Sequence, residues 1–309
     1  MGITRFGQVQ ADAFLGSQAE ASPFGKIWYV DGTNGADDNL GDSPGTAKSS
    51  VAGVFAVMKA SRGDTAVFYP GTYTITTALV PVAHTTFKAA HVVPAAPSVI
   101  ITGDIAELIT VDVDGVRFIG IEFKASGATC KELVDVADGA NVRGPIFEDC
   151  VFNGNSLNNA GLVTDDPTYA ATGLVVRRCL FKGVEGISNL EIGVLGAPYA
   201  VIENNTFVLD STLSVGIAIA DTAGTSGVTD KLKGQYIIRN NDVIGLYSKS
   251  SVGIKISGTE GTLPPSLIRN NYFGNCAAAA ITIDKGGVNL VNNYVGDTGT
   301  GGTLVDAGN

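Results

Sequence analysis

Seven short blocks of the chain share one pattern of apolar and polar positions: FIGIEF (118–123), FEDCVF (147–152), VRRCLF (176–181), IENNTF (202–207), IRNNDV (238–243), IRNNYF (268–273) and LVNNYV (290–295). They align without internal gaps, and their starts are separated by 29, 29, 26, 36, 30 and 22 residues. The first and last positions are apolar and the second is commonly charged or polar, the in/out alternation of a short strand. A constant block at irregular spacing predicts a constant coil with loops of variable length. Strands of a second class alternate strictly: VDVAD (134–138), GIAIA (216–220), GIKIS (253–257), AITID (280–284) and TLVDA (303–307). No amphipathic helix of useful length separates the two classes. Helical crossovers are therefore excluded, and the chain must wind as stacked rungs of parallel strands.

Asparagine pairs at 204–205, 240–241, 270–271 and 292–293 mark a bend, because Asn tolerates the left-handed conformation and hydrogen-bonds its own backbone. Stacked rung on rung, Asn205, Asn241, Asn271 and Asn293 are expected to form a side-chain amide ladder that satisfies buried polar groups at the corner. Cys150 and Cys179 hold equivalent repeat positions, about 4.8 Å apart across a parallel sheet. They read as a reduced core ladder of small hydrophobes, the alternative being a disulfide whose geometry is awkward in that register. The second column of the blocks, Ile119, Glu148, Arg177, Glu203, Arg239 and Arg269, sets opposite charges side by side at three successive steps. An exposed ladder of this kind reports register rather than catalysis.

Residues 26–75 carry an aromatic-Val-Asp strand end at Trp28–Asp31, a Gly/Asp/Asn-rich loop at 32–42 and a Ser43-Pro44 turn. A short helix over 49–60, then Gly63-Asp64-Thr65 and Pro70-Gly71-Thr72-Tyr73, complete the segment. This opening resembles that of pectin-lyase-like right-handed parallel β-helix proteins. With the repeats, the resemblance covers roughly residues 26–309, and it speaks for fold and hardly at all for chemistry. The expected fold is all-β, a right-handed single-stranded parallel β-helix (a solenoid) with an N-terminal capping helix. Val51, Val54, Phe55 and Met58 fall on one face of that helix, which would plug the open end. The expected organisation is an arm over 1–25, an opening strand, loop and capping helix over 26–65, and the β-helix over 66–309. Phe6, Phe14 and Phe24 punctuate the arm, which either docks onto a particle or folds back along its own domain. The last residues, LVDAGN, are still in strand pattern, so that edge is expected to be protected by its final loop or by another chain.

Composition agrees with tight turns and a continuous core: 40 Gly, 11 Pro, 16% charged and 45% hydrophobic residues. A net charge of -10 argues against nucleic acid or an anionic membrane as partner. The N-terminus has no apolar region preceded by basic residues, and no stretch approaches a membrane span. The four cysteines contain no CxxC pair and are accompanied by two His, so no zinc site and no cofactor are expected.

Enzymes of the resembling fold work on polysaccharides in a groove along one wall. The lyases use a calcium-binding Asp cluster with an Arg or Lys base, and the hydrolases paired carboxylates. Neither set can be laid residue by residue on this chain. The nearest carboxylates are Asp165 and Asp166 in GLVTDDPTY, with Glu185 and Glu191 on the next coil. Asp-Asp-Pro is first of all a turn sequence. Asp37, Asp38 and Asn39 offer hard oxygen ligands without the spacing of a calcium loop. His84 and His91 have no nucleophile motif to serve. Aromatic platforms for sugars look scarce, since aromatics make up 7% of the chain and sit mostly at inward repeat positions.

Function is expected to be structural and non-enzymatic: a virion protein of a tailed bacteriophage, either a capsid-decorating or head-fibre protein or a spike. Such solenoids resemble those of phage tailspikes and head fibres. Parallel solenoids bury their walls as trimers, so a homotrimer on capsid or tail partners is expected, with host surface glycan as a possible further partner. The chain would be made in the host cytoplasm without a signal peptide and reach the virion by assembly. The alternative is a polysaccharide-binding or polysaccharide-cleaving tailspike or lyase.

Overall fold

The computed structural model describes residues 25–93, 96–157, 160–164, 169–184, 188–192, 197–209, 215–221, 235–246, 252–258, 266–276, 279–283, 288–296 and 304–306. They wind as a right-handed parallel β-helix with three walls. Wall A begins at Ile27–Val30 and Thr65–Phe68 and runs through Arg117–Ile119, Ile146–Glu148, Val175–Arg177, Val201–Glu203, Ile237–Arg239 and Ser266–Arg269 to Val288–Val291. Wall B stacks from Gly71–Thr74 to Tyr294–Val295, and wall C from Glu107–Val111 to Leu304–Asp306. Neighbouring strands pair in parallel with Phe118, Phe147, Val176, Ile202, Ile238 and Ile268 in one register. The gapless blocks are thus successive rungs, each spanning the corner from wall A to wall B. Among the described residues no helix is long and apolar enough to cross a membrane.

The two residues of each Asn pair have separate tasks at this corner. The first takes the left-handed conformation: Asn204, Asn240, Asn270 and Asn292 have φ of 56, 55, 55 and 50°, with Gly120, Asp149 and Arg178 in the same place on earlier rungs. The second points inward and forms the ladder. The Asn205 Nδ2 donates to Asn241 Oδ1 at 3.0 Å, Asn241 Nδ2 to Asn271 Oδ1 at 2.9 Å and Asn271 Nδ2 to Asn293 Oδ1 at 3.0 Å. Each Nδ2 also donates to a wall A carbonyl one rung back, those of Val176, Ile202, Ile238 and Ile268 in turn. Cys150 and Cys179 continue the column on earlier rungs. Both are buried free thiols, and the Cys179 backbone N–H donates to Asn205 Oδ1 at 2.8 Å.

The core is layered in the same way. Phe87, Phe118 and Phe147 stack along wall A at 5.1 and 5.4 Å. Phe123, Phe152, Phe181 and Phe207 stack along wall B at 5.5, 4.5 and 4.7 Å between centroids. Rings repeated in register pack against one another from rung to rung, which links the coils through a shared core. The capping helix spans Val51–Phe55, shorter than the expected 49–60, and the turn runs on to a Met58 N–H bond with the Val54 carbonyl. Ser50 caps it by accepting from the Gly53 N–H at 2.9 Å. Val51 and Val54 are buried, and Phe55 packs on Phe87 at 4.7 Å, so the helix closes the first rungs.

Asp64 fixes this start. It is fully buried and accepts from the Lys26 and Lys59 backbone N–H groups, Trp28 Nε1 and the Arg62 guanidinium. Burial alone would raise its pKa, but the bonds from Arg62, Lys26, Trp28 and Lys59 outweigh it and hold the carboxyl at about 2. The Gly-Asp-Thr run of the sequence is therefore an anchor that ties the opening strand to the first rung.

Candidate functional site

The outward face of wall A carries two columns of different chemistry. Alternation on strands of three residues leaves the first and third positions facing out. The first positions read Arg117, Ile146, Val175, Val201, Ile237 and Leu267 along the rungs. Five successive aliphatic side chains, each half-buried by its neighbours, thus make an apolar stripe on the outside of the solenoid. The third positions read Ile119, Glu148, Arg177, Glu203, Arg239 and Arg269, the expected ion column.

That column is more tightly built than an exposed ladder. Glu148 is buried and accepts from Arg117 and Arg178, with an Arg177 Nη2 contact at 3.0 Å. Arg178 reaches it from the corner position that is Asn on later rungs, and also donates to Asp149 from Nε at 2.8 Å. Burial works to raise the Glu148 pKa, yet the bonds from Arg117, Arg178 and Arg177 hold it at about 2. Asp149 and Glu148 push the Arg178 pKa upward against desolvation. Farther on, Glu203 accepts from Arg239 Nε at 2.7 Å. Glu148 is thereby held as an anion within its ion pairs. A general acid needs a pKa near the working pH, which Glu148 does not have.

Asp165, Asp166 and Glu185 lie outside the described residues, as do Phe6, Phe14 and Phe24 of the arm. Glu191 sits in the wall C strand Ser188–Ile192, between Val163 and Ala218 in register. Asp37 and Asn39 brace their loop. The Asp37 carboxylate accepts from the Ser49 and Ser50 backbone N–H groups and from Ser50 Oγ at 2.6 Å, and Asn39 Nδ2 donates to the Ala47 carbonyl. Burial raises the Asp37 pKa less than those serine bonds lower it, so the net shift is downward. Asp38 is exposed beside them.

Two groupings escaped the sequence reading. On wall C, ligand atoms of Glu107, Asp135 and Asp138 lie within 4.8 Å of one another; the alternation of VDVAD already turned Asp135 outward. On wall B, Tyr272 and Tyr294 face out on adjacent rungs, although aromatics mostly face in.

No protein-family model matches the chain, and no curated protein matches it. Among solved structures, the fold is similar to the pectin methylesterase from Aspergillus niger in deglycosylated form, at TM-score 0.59 and 14% identity over 93% of this chain and 92% of that one. It is also similar to a mannuronic acid specific polysaccharide family 6 lyase from human gut microbiota, at TM-score 0.56 and 14% identity over 87% of this chain. Pectate lyase Pel9A matches at TM-score 0.51 and 14% identity over 92% of this chain and 80% of that one. The match spans 59% of the gut lyase. At this identity the likeness establishes the parallel β-helix and leaves chemistry to the residues.

Proposed function

We propose that the chain is a non-enzymatic structural protein of a tailed-bacteriophage virion, a capsid-decorating, head-fibre or spike protein that assembles as a homotrimer. The observation that carries this reading is the aliphatic stripe Ile146, Val175, Val201, Ile237 and Leu267 on the outside of wall A. A stripe of that kind gains free energy when another surface covers it, at about 25 cal/mol per Å² of apolar area. A second copy of a rigid solenoid presents a surface of matching rung height. The ion column beside it would form the polar rim. Residues 1–25 would hold the assembly to capsid or tail.

Sedimentation of the full chain tests the assembly: a trimer is expected, falling to monomer in Val201→Glu with the circular dichroism unchanged. A monomeric parent chain would overturn it. Immunogold microscopy on virions of the producing phage tests the location, and unlabelled particles would overturn that part.

The alternative is a polysaccharide-binding or polysaccharide-cleaving protein. The exposed tyrosine pair of wall B favours its binding half. Release of oligosaccharides from neutral or uronate polysaccharides by the purified chain would overturn the non-enzymatic reading.

A further inference from the structure

The sequence Asn-Asn-Tyr-X-Gly occurs at 270–274 and again at 292–296, on adjacent rungs. Tyr272 and Tyr294 pair in register on wall B and are 44% and 65% exposed. Side chains on a strand ordinarily stand away from the sheet, but the Tyr272 ring lies down. A Cβ at Gly274 would meet its Cε1 at 3.2 Å, while a Cβ at Gly296 would meet its Cε2 at 3.4 Å, Cζ at 3.1 Å and the hydroxyl at 2.5 Å. The two glycines belong to neighbouring rungs, so opposite edges of the ring are turned to successive strands and its long axis follows the strand. The ring thus lies over the space that the two glycines leave open, and Tyr272 stays 44% exposed there. Gly274, although outward, is buried beneath it. Any side chain at 274 or 296 would lift the ring. Asp242 precedes Tyr272 in the same outward column and is exposed, and Thr206 precedes Asp242. Thr206, Asp242, Tyr272 and Tyr294 therefore form a file along the solenoid axis with a step of about 4.8 Å.

We propose that this file binds a neutral pyranose glycan chain lying along the axis. A flat aromatic face takes the C–H face of a sugar ring, an apolar surface bounded by hydroxyls. The Asp242 carboxylate and Thr206 hydroxyl take those hydroxyls and fix the orientation, the few polar groups that an otherwise apolar site needs. Asp242 and the net charge of -10 repel uronates and phosphates, so an anionic glycan is disfavoured against the neutral one proposed. The inference deepens the binding half of the alternative above and holds whether or not the chain is trimeric, so the two tests fail separately.

Saturation-transfer NMR on the full chain, with maltohexaose, cellohexaose, chitohexaose and hexagalacturonate in turn, tests it. Transfer to the ring C–H protons of a neutral hexaose is expected, with none to hexagalacturonate. Affinity should fall at least tenfold in Tyr272→Ala, and likewise in Gly274→Val, which keeps the ring and displaces it. The proposal is overturned if no neutral hexaose shows transfer at millimolar concentration, or if neither variant weakens it. It is equally overturned if Tyr272→Ala changes the sedimenting mass, since the file would then be a contact between copies.

Discussion

The side-chain amide of Asn205 donates to Oδ1 of Asn241 at 3.0 Å, and the two residues are 36 positions apart in the chain. The same Oδ1 accepts the Asn205 backbone N–H, while Asn241 Nδ2 serves Ile202 O and Asn271 Oδ1. Asn241→Leu therefore strands buried donors and acceptors on both neighbouring rungs. Each buried group left unsatisfied costs about 1–3 kcal/mol. Urea denaturation should show a loss on the order of 3 kcal/mol for Asn241→Leu and a smaller loss for Asn293→Leu, whose corner is half-buried. Equal losses at both sites would contradict a ladder whose strength comes from its interior.

The solenoid was legible in the sequence because its signal is repeated: seven blocks, a left-handed corner residue and an inward Asn recur whatever the loop length. The ion column was legible as an order of residues, since Glu148 and Arg177 are the same step of two blocks. The Arg117 and Arg178 contacts to Glu148 were not. Arg117 belongs to the apolar column one rung back, and Arg178 holds a corner position, so neither shares the column that alternation defines. The Glu107, Asp135 and Asp138 grouping depends on side-chain reach between wall C strands and the loop after one of them, which no period encodes. The flat tyrosine was written twice as Tyr-X-Gly, but its meaning depends on Gly296 lying beside a ring from the preceding rung.

Stacked rings should couple neighbouring rungs. Phe152 and Phe181 lie 4.5 Å apart and nearly parallel, with Phe207 4.7 Å beyond. Phe181→Ala opens a cavity in the middle of the stack and is expected to cost about 3–5 kcal/mol, with Phe181→Leu costing clearly less. Thermal unfolding followed by circular dichroism separates the two, and near-equal effects would show that the core collapses around the gap.

The thiols should be silent in the folded chain. Cys130, Cys150, Cys179 and Cys276 are all buried, and burial pushes Cys130 and Cys276 up to about 12 and Cys179 well above its ordinary value. The reactive species is the thiolate. A chromogenic disulfide reagent at neutral pH should label none of the four before unfolding and all four in denaturant. Two thiols missing from the denatured count would instead reveal a bond between Cys150 and Cys179.

Acid should weaken the protein through two named carboxylates. Asp64 has a folded pKa of about 2 against 3.8, and Glu148 about 2 against 4.5. Both are depressed, so their contributions are fully present above about pH 4.5 and are lost as pH falls toward 2. At about 1.4 kcal/mol per pKa unit, Asp64 contributes on the order of 2 kcal/mol. Glu148 adds a discounted amount, because its arginine partners are 34–45% exposed. Asp64→Asn should lower stability at pH 7 and flatten the slope between pH 4 and 2, since the variant has no proton to bind there. Denaturant midpoints across that window measure it; a slope unchanged from the parent would mean that Asp64 titrates in the fold as it does in the unfolded chain, and that the anchor at the first rung does not depend on its charge.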